Sequence, residues 1–315
     1  MYFPYLRAKR FELIALNESI ALIKKNLKRI SPIIEPVAKD TASLKRTVDI
    51  FKKHDVNFSL IINPTVGGHS TQPKEIIDFI NTELSDFENF QVAIILTDQA
   101  SLSNAKKNLG TIKTKSQRVL LIHSGEVEAP ENLEQVFKGK EISYHVIDYL
   151  TVSRRYDRAF RDKSKCVSLE DHMTGVQKNS DYSKNIDEFF SKEHLEFSLD
   201  NFAGFSDYLT IGAGYSETGF LPYAVVIHIT YPDAKGEIRI RHFVSDSNDD
   251  TSDVAGKFSE ALNKLIAWKN QASFSTASIL EFEKYHKTQH YPGLGVLKKL
   301  SIMNHLEVVL EKVSF

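Results

Sequence analysis

The chain has 315 residues, 42% hydrophobic and 26% charged, and Lys+Arg 40 against Asp+Glu 41 leaves a formal net charge of -1. That apolar share suffices for a sizeable core and excludes a disordered or fibrous chain, while the charge balance excludes a uniformly basic, non-specific nucleic-acid surface. The single cysteine, Cys166, excludes an internal disulfide or a cysteine-based metal site and suits a reducing cytoplasm.

Tyr2 to Leu6, "YFPYL", reads as a buried strand, and Arg7, Lys9, Arg10 and Glu12 then crowd the turn into a helix. To about residue 150, apolar runs alternate with helical patterns. The further strand candidates are "SPIIEPV", "NFSLIINP", "FQVAIILT", "QRVLLIHS" and "ISYHVIDYL"; the helices are Glu12 to Lys28, Ser43 to His54, Pro73 to Leu84, Ser101 to Leu109 and Pro130 to Phe137. Pro73 and Pro130 suit first-turn positions. Several strands are apolar at consecutive positions, as in a parallel sheet covered by helices on both faces. "KCVSLED" and "FSDYLTIG" bring the strand count to about eight, the number of a (β/α)8 barrel. A doubly wound open sheet has the same local pattern; short strand spacing and the lack of a Gly-rich dinucleotide turn after the first strand favour the barrel.

After Ile211 the pattern changes. "YAVVIHITYPDAKGEIRIRHFVSD" alternates around a turn and reads as an antiparallel hairpin. The linker "SDSNDDTSD" leads into helices from Val254, with Asp253 as N-cap. The expected fold is thus α/β: a (β/α)8 TIM-barrel-like domain over residues 1–253, with a β-hairpin insertion at 222–246, and C-terminal helices over 254–315 packed on the barrel. No apolar run approaches the roughly 18 residues of a membrane span, and the start lacks the order of a signal peptide. A soluble, cytoplasmic protein is expected.

Ligands of parallel α/β folds sit at the carboxyl ends of the strands. Here those ends carry Arg7 and Lys9, Glu35, Asn63 and Thr65, Thr97 and Asp98, His123 and Ser124, Asp148, then Glu170, Asp171 and His172. Charges directly behind apolar runs are best satisfied in a shared polar cavity. Each taken alone is also compatible with a solvated loop or a structural ion pair, but Glu35, embedded in "PIIEPV", is out of place as a casual surface carboxylate, and Asp148 in "HVIDYL" is next. His228 and His242 fall on opposite arms of the hairpin, within a few rungs of each other and near Asp246; acid–base work, metal binding and plain structural pairing all fit. In "SRRYDRAFRDKSK", Arg154, Arg158 and Arg161 recur at i, i+4 and i+7 with Tyr156 and Phe160 interleaved, giving either a salt-bridged helix or an anion site. No GxxxxGK[ST], GxGxxG, GxSxG or HExxH motif is present, and the glycine-rich "IGAGYSETG" leads into a hairpin, so it reads as a flexible rim.

"YFPYLRAKRFELIAL", "SPIIEPV", "VSLEDHMTGVQKNSDY", "GFSDYLTIGAGYSETGFLPYAVVIHITY" and "RHFVSD" together resemble the Beta-protein family, named after a phage beta protein. Its opening pattern is matched at Tyr2, Pro4, Leu6, Arg7, Lys9 and Glu12, and the likeness covers most of residues 1 to 260. More narrowly, the chain is similar to a bacterial branch found beside a restriction-nuclease-like gene. The resemblance implies a barrel-like fold and a setting in phages, mobile elements or anti-phage defence; it supplies no catalytic residue.

The functional expectation is a mouth that binds or hydrolyses a phosphate-bearing ligand, a nucleotide or nucleic-acid end. Arg7 and Lys9 would clamp anionic oxygens, with Asn63, Arg154, Arg158 and His242 as further ligand contacts. Glu35, Asp148 and Asp171 would act as acid–base groups or hold a divalent cation, and His123 or His228 would shuttle the proton. The alternative is a non-enzymatic partner or regulator of an adjacent nuclease.

Overall fold

Proline sets the length of the first strands. In the computed structural model, which describes residues 1–70, 72–160, 162–217 and 221–315, β1 (Tyr2–Leu6) is followed by α1 (Arg10–Glu18) and α2 (Ile20–Lys25), and then by a two-residue β2 (Ile33–Ile34). Pro32 and Pro36 flank β2 and cannot donate to a ladder. The helix expected from Glu12 to Lys28 is therefore two shorter ones, interrupted at Ser19, a weak helix former.

The βα alternation then runs as read from the sequence: α3 (Ala42–Lys53), β3 (Phe58–Ile61), α4 (Pro73–Glu83), β4 (Phe90–Leu96), α5 (Gln99–Leu109), β5 (Arg118–His123), α6 (Leu133–Val136), β6 (Glu141–Asp148), α7 (Arg154–Asp157) and β7 (Cys166–Glu170). Asp98 caps α5, its Oδ1 accepting from Ser101 N at 2.7 Å, which accounts for its place at a strand end without a catalytic role. The chain next forms β8 (Asp187–Ser191) and α8 (Glu193–Glu196) and returns as β9 (Gly204–Asp207). Strands β1 to β7 and β9 close into a barrel, and β9 pairs in parallel with both β7 and β1. The barrel expectation holds.

Alternation and pairing register divide the wall into two faces. Phe3 on β1 meets Tyr144 on β6 edge to face at 4.9 Å. Those strands are not neighbours, so this contact crosses the lumen, and the Phe3 phase faces inward. Tyr5 and Arg7 follow that phase on the first strand. Register carries it to Ile33 and Glu35, and through Tyr144 to Val146 and Asp148, Val167 to Asp171, and Gly204 to Tyr208. Gly204 is required at the seam, where a Cβ would come within 2.0 Å of Met1 O and 2.8 Å of Phe3 Cε2. Tyr2, on the opposite phase, ties the first and last barrel strands through its hydroxyl, which donates to Asp207 Oδ1 at 2.7 Å.

The barrel belongs to one compact unit, Met1–Leu13, Ile20–Asp171 and Glu193–Tyr208. The second comprises Ile14–Ser19, His172–Lys192 and Leu209–Phe315. In it, β10 (Val226–Pro232) and β11 (Ile238–Val244) form the expected hairpin, and β8 extends it to an antiparallel sheet of order β10-β11-β8. α9 (Val254–Ala272), α10 (Ala277–Thr288) and α11 (Leu294–Glu307) complete the unit. Asp253 caps α9 as anticipated, accepting from Gly256 N at 2.9 Å. Ile227, Ile229 and Phe243 of the sheet share an apolar core with Phe258, Leu265, Phe282 and Leu297 of the helices. The hairpin lies in the second unit with the C-terminal helices and is the sheet on which they pack, because its alternating apolar face is what they bury.

Candidate functional site at the barrel mouth

The inward phase ends, at the carboxyl side of the strands, in Arg7, Glu35, Asp148, Asp171 and Tyr208. Glu35 is 1% exposed and fully engaged. Its Oε1 accepts from Thr65 N at 3.0 Å and from the Thr65 hydroxyl at 3.4 Å; its Oε2 accepts from the Tyr5 hydroxyl at 3.0 Å and lies 3.4 Å from Arg7 Nε. A buried carboxylate persists when its lone pairs are matched in this way. Glu35 was expected as an acid–base group; both its oxygens are committed, one to Thr65 and the other to Tyr5 beside Arg7.

Arg7 is fixed from three directions. Its backbone N–H donates to the buried Glu12 carboxylate at 2.7 Å, its Nε faces Glu35, and its guanidinium carbon lies 5.4 Å from the Tyr208 ring centroid. The cluster of charge after β1 therefore has a structural explanation: Glu12 pins the turn from beneath. Lys9 opens α1, its carbonyl accepting from Glu12 N and Leu13 N.

Across the mouth, Asp148 is buried, and its carboxyl is raised above the usual carboxylate range, chiefly by desolvation. The charge of nearby Asp171 adds to the rise, while hydrogen bonds from Leu150 N and Thr151 oppose it. Tyr208 is pushed up by burial and by Asp148, so its hydroxyl stays protonated at neutral pH. The mouth thus holds one clamped guanidinium, a phenol donor and a pair of interacting acids, one biased toward its protonated form. Tyr5 and Tyr208 were absent from the sequence reading, although Tyr5 shares the alternation phase of Arg7.

Other expected residues lie elsewhere or are otherwise occupied. Asn63 spends its amide on Ile95, donating to the carbonyl at 2.7 Å and accepting from the N–H at 2.9 Å, so it extends the ladder between β3 and β4. His123 is on the outward phase of β5, not in the mouth. Its Nδ1 meets the Tyr156 hydroxyl at 2.8 Å and its Nε2 meets His145 Nδ1 at 3.0 Å, with the Phe160 ring 4.9 Å away. As a shuttle for the mouth it is on the wrong side of the wall.

The arginine face does not form. α7 is one turn, Arg158 sits in the following turn, and Arg161 lies outside the described residues. Arg154 and Arg158 are exposed on the loop after β6, while Tyr156 and Phe160 turn inward against His123. Asp157, bound to the Tyr149 hydroxyl at 2.9 Å and to Lys163, holds the chain in that turn. Of the glycine-rich rim, Thr218 and Gly219 are also outside the described residues.

In the second unit, His228 and His242 are direct cross-strand partners with their Nδ1 atoms 2.7 Å apart. Their carboxylate is Glu188, whose Oε1 lies 3.1 Å from His242 Nε2; Asp246, the acid expected there, pairs with Lys264 at 2.6 Å instead. Glu188 escaped notice because β8, "DEFFS", is short and carries no strong alternation.

Among the described residues no group of three or more His, Cys, Asp or Glu side chains is placed to hold a metal ion. Of the three carboxylates considered for a cation, Glu35 has both oxygens engaged by Thr65, Tyr5 and Arg7. Cys166 is buried, and burial pushes its thiol up to about 11, as suits a small apolar core residue and not a reactive thiol. Among the described residues no helix is long and apolar enough to cross a membrane. Comparison of the chain with protein-family models and with curated proteins returns no match.

Proposed function

We propose that the barrel mouth binds a phosphate-bearing ligand, a nucleotide or a nucleic-acid end, and hydrolyses its ester. The observation that carries this reading is the clamped Arg7, a guanidinium held between the Glu35 carboxylate and the Tyr208 ring at the end of a parallel barrel where ligands bind. Arg7 takes the anionic oxygens with Tyr208 as a further donor. Asp148 donates a proton to the leaving oxygen as the phosphorus–oxygen bond breaks, and Asp171 takes the proton of the attacking water. Exposed Arg154 and Arg158 on the loop after β6 would contact the rest of a polyanion. The opening pattern similar to the Beta-protein family supports a phage-conflict or mobile-element setting in the cytoplasm.

The test is titration calorimetry with ATP and with a 5′-phosphorylated oligonucleotide, alongside assay of phosphate release. Arg7→Ala should weaken binding by tenfold or more, and Asp148→Asn should retain binding and lose turnover. Binding unaffected by Arg7→Ala would overturn the assignment. A second reading, a regulator of an adjacent nuclease, is favoured by one observation: Leu150 and Leu199, on loops of the barrel unit, are 75% and 77% exposed. Co-purification with that nuclease, lost on Leu150→Asp and Leu199→Asp but not on Arg7→Ala, would support it instead.

A further inference from the structure

The second unit contains a cavity of about 350 Å3 with no part in the reading above. Its walls mix apolar side chains such as Leu294 and Leu297 with the polar residues Asn179, Tyr182, Thr210, His228, Lys298 and Ser301.

The state of His228 follows from the chain of contacts behind it. Glu188 Oε2 accepts from Asn185 Nδ2 at 2.6 Å, and Oε1 faces His242 Nε2 at 3.1 Å. A carboxylate only accepts, so His242 Nε2 bears the proton. Burial holds the His242 ring below its ordinary value, with Glu188 opposing, so the ring is neutral and its Nδ1 is bare. That bare Nδ1 accepts from His228 Nδ1–H at 2.7 Å. Burial, and then His242, push His228 down to about 3, so it too is neutral and its Nε2 carries a lone pair. The tautomer is set two residues back along this chain of contacts, by a carboxylate that does not line the cavity.

We propose that this cavity is a second binding site, for a small molecule whose O–H or N–H donor is received by His228 Nε2. Glu188 and His242 are positioning residues: they keep Nε2 an acceptor. A base this weak takes a hydrogen bond and leaves the proton where it is, so the site recognises a donor and performs no proton transfer. The site stands on residues of the second unit alone, and its failure would leave the mouth reading untouched.

Benzyl alcohol and anisole test it, being isomers of which only the first can donate. With the intact chain labelled with 15N, the histidine side-chain spectrum at pH 7 should show His228 protonated at Nδ1 and bare at Nε2. Benzyl alcohol should shift the Nε2 resonance in a saturable manner and bind at least tenfold more tightly than anisole. His228→Phe should abolish the preference, in a chain whose circular dichroism spectrum shows it still folded. Both titrations are read on the unaltered chain, so the test survives a variant that fails to fold. A protonated Nε2, equal affinity for the two isomers, or no binding of either would overturn the proposal.

Discussion

Glu35 and Arg7 meet at 3.4 Å, and the same carboxylate oxygen receives the Tyr5 hydroxyl from two residues earlier on the strand that delivers Arg7. One acid thus fixes consecutive inward side chains of β1. Glu35→Gln should weaken the orientation of Arg7 without removing its charge. The expected result is a loss of about 1–3 kcal/mol in urea-unfolding free energy, the range for disturbing a buried charged hydrogen-bond partner, together with weaker anion binding than wild type but tighter than Arg7→Ala. A stability equal to wild type would mean that the carboxylate does not anchor the turn.

The barrel seam offers a separate test. Tyr2→Phe removes the hydroxyl that donates to Asp207, an acid only 2% exposed. The expected cost is about 1–2 kcal/mol, and hydrogen exchange should quicken in β1 and β9 before it does in β4 and β5. Uniform protection across the barrel would contradict a closing role for this pair.

Gly204→Ala should be more severe. The added methyl has the Met1 carbonyl 2.0 Å away, and backbone cannot step aside as a flexible side-chain end can. Overpacking of this sort costs about 1–3 kcal/mol, sometimes more. Circular dichroism melts of the variant should show a lowered transition, and an unchanged melt would mean that β9 pairs differently.

Stability should fall with acid. Burial lowers His145 from 6.5 to about 4 and holds His123 well below its usual value. The unfolded chain therefore takes up protons that the folded one refuses. Stability is complete above about pH 6.5 and is lost as pH drops toward 4, with His145 alone contributing about 2 kcal/mol of the fall between pH 7.5 and 5. Urea titrations across that interval would show it, and a flat profile would exclude the buried neutral pair.

Much of the barrel was legible because consecutive apolar residues and helical periodicity are local signals: β1, β4, β5 and β6 lie where the runs do. β8 was not legible, since its stability comes from pairing with β11 and not from its own pattern. Its absence from the sequence reading hid Glu188 and left Asp246 as the apparent partner of the histidines. In the same way, Arg7, Glu35 and Asp148 were visible as charges behind strands, whereas the saturation of Glu35 and the outward phase of His123 depend on register, which no single strand encodes. The arginine face failed because a helical spacing was assumed where the chain makes one turn.

After β7 the chain leaves the barrel, contributes β8 to the sheet of the other unit, and only then returns as β9. Neither unit is therefore a contiguous stretch that one cut could release. A fragment ending at Asp171 would hold seven barrel strands with β1 and β7 both lacking their shared neighbour, leaving two bare edges prone to self-association. One ending at Tyr208 could complete the ring, yet it would carry β8 as an orphan strand. During synthesis the barrel likewise has to wait for its last strand until β8 has emerged, so its closure comes late, and a ribosome stalled before residue 204 would expose an open and sticky sheet.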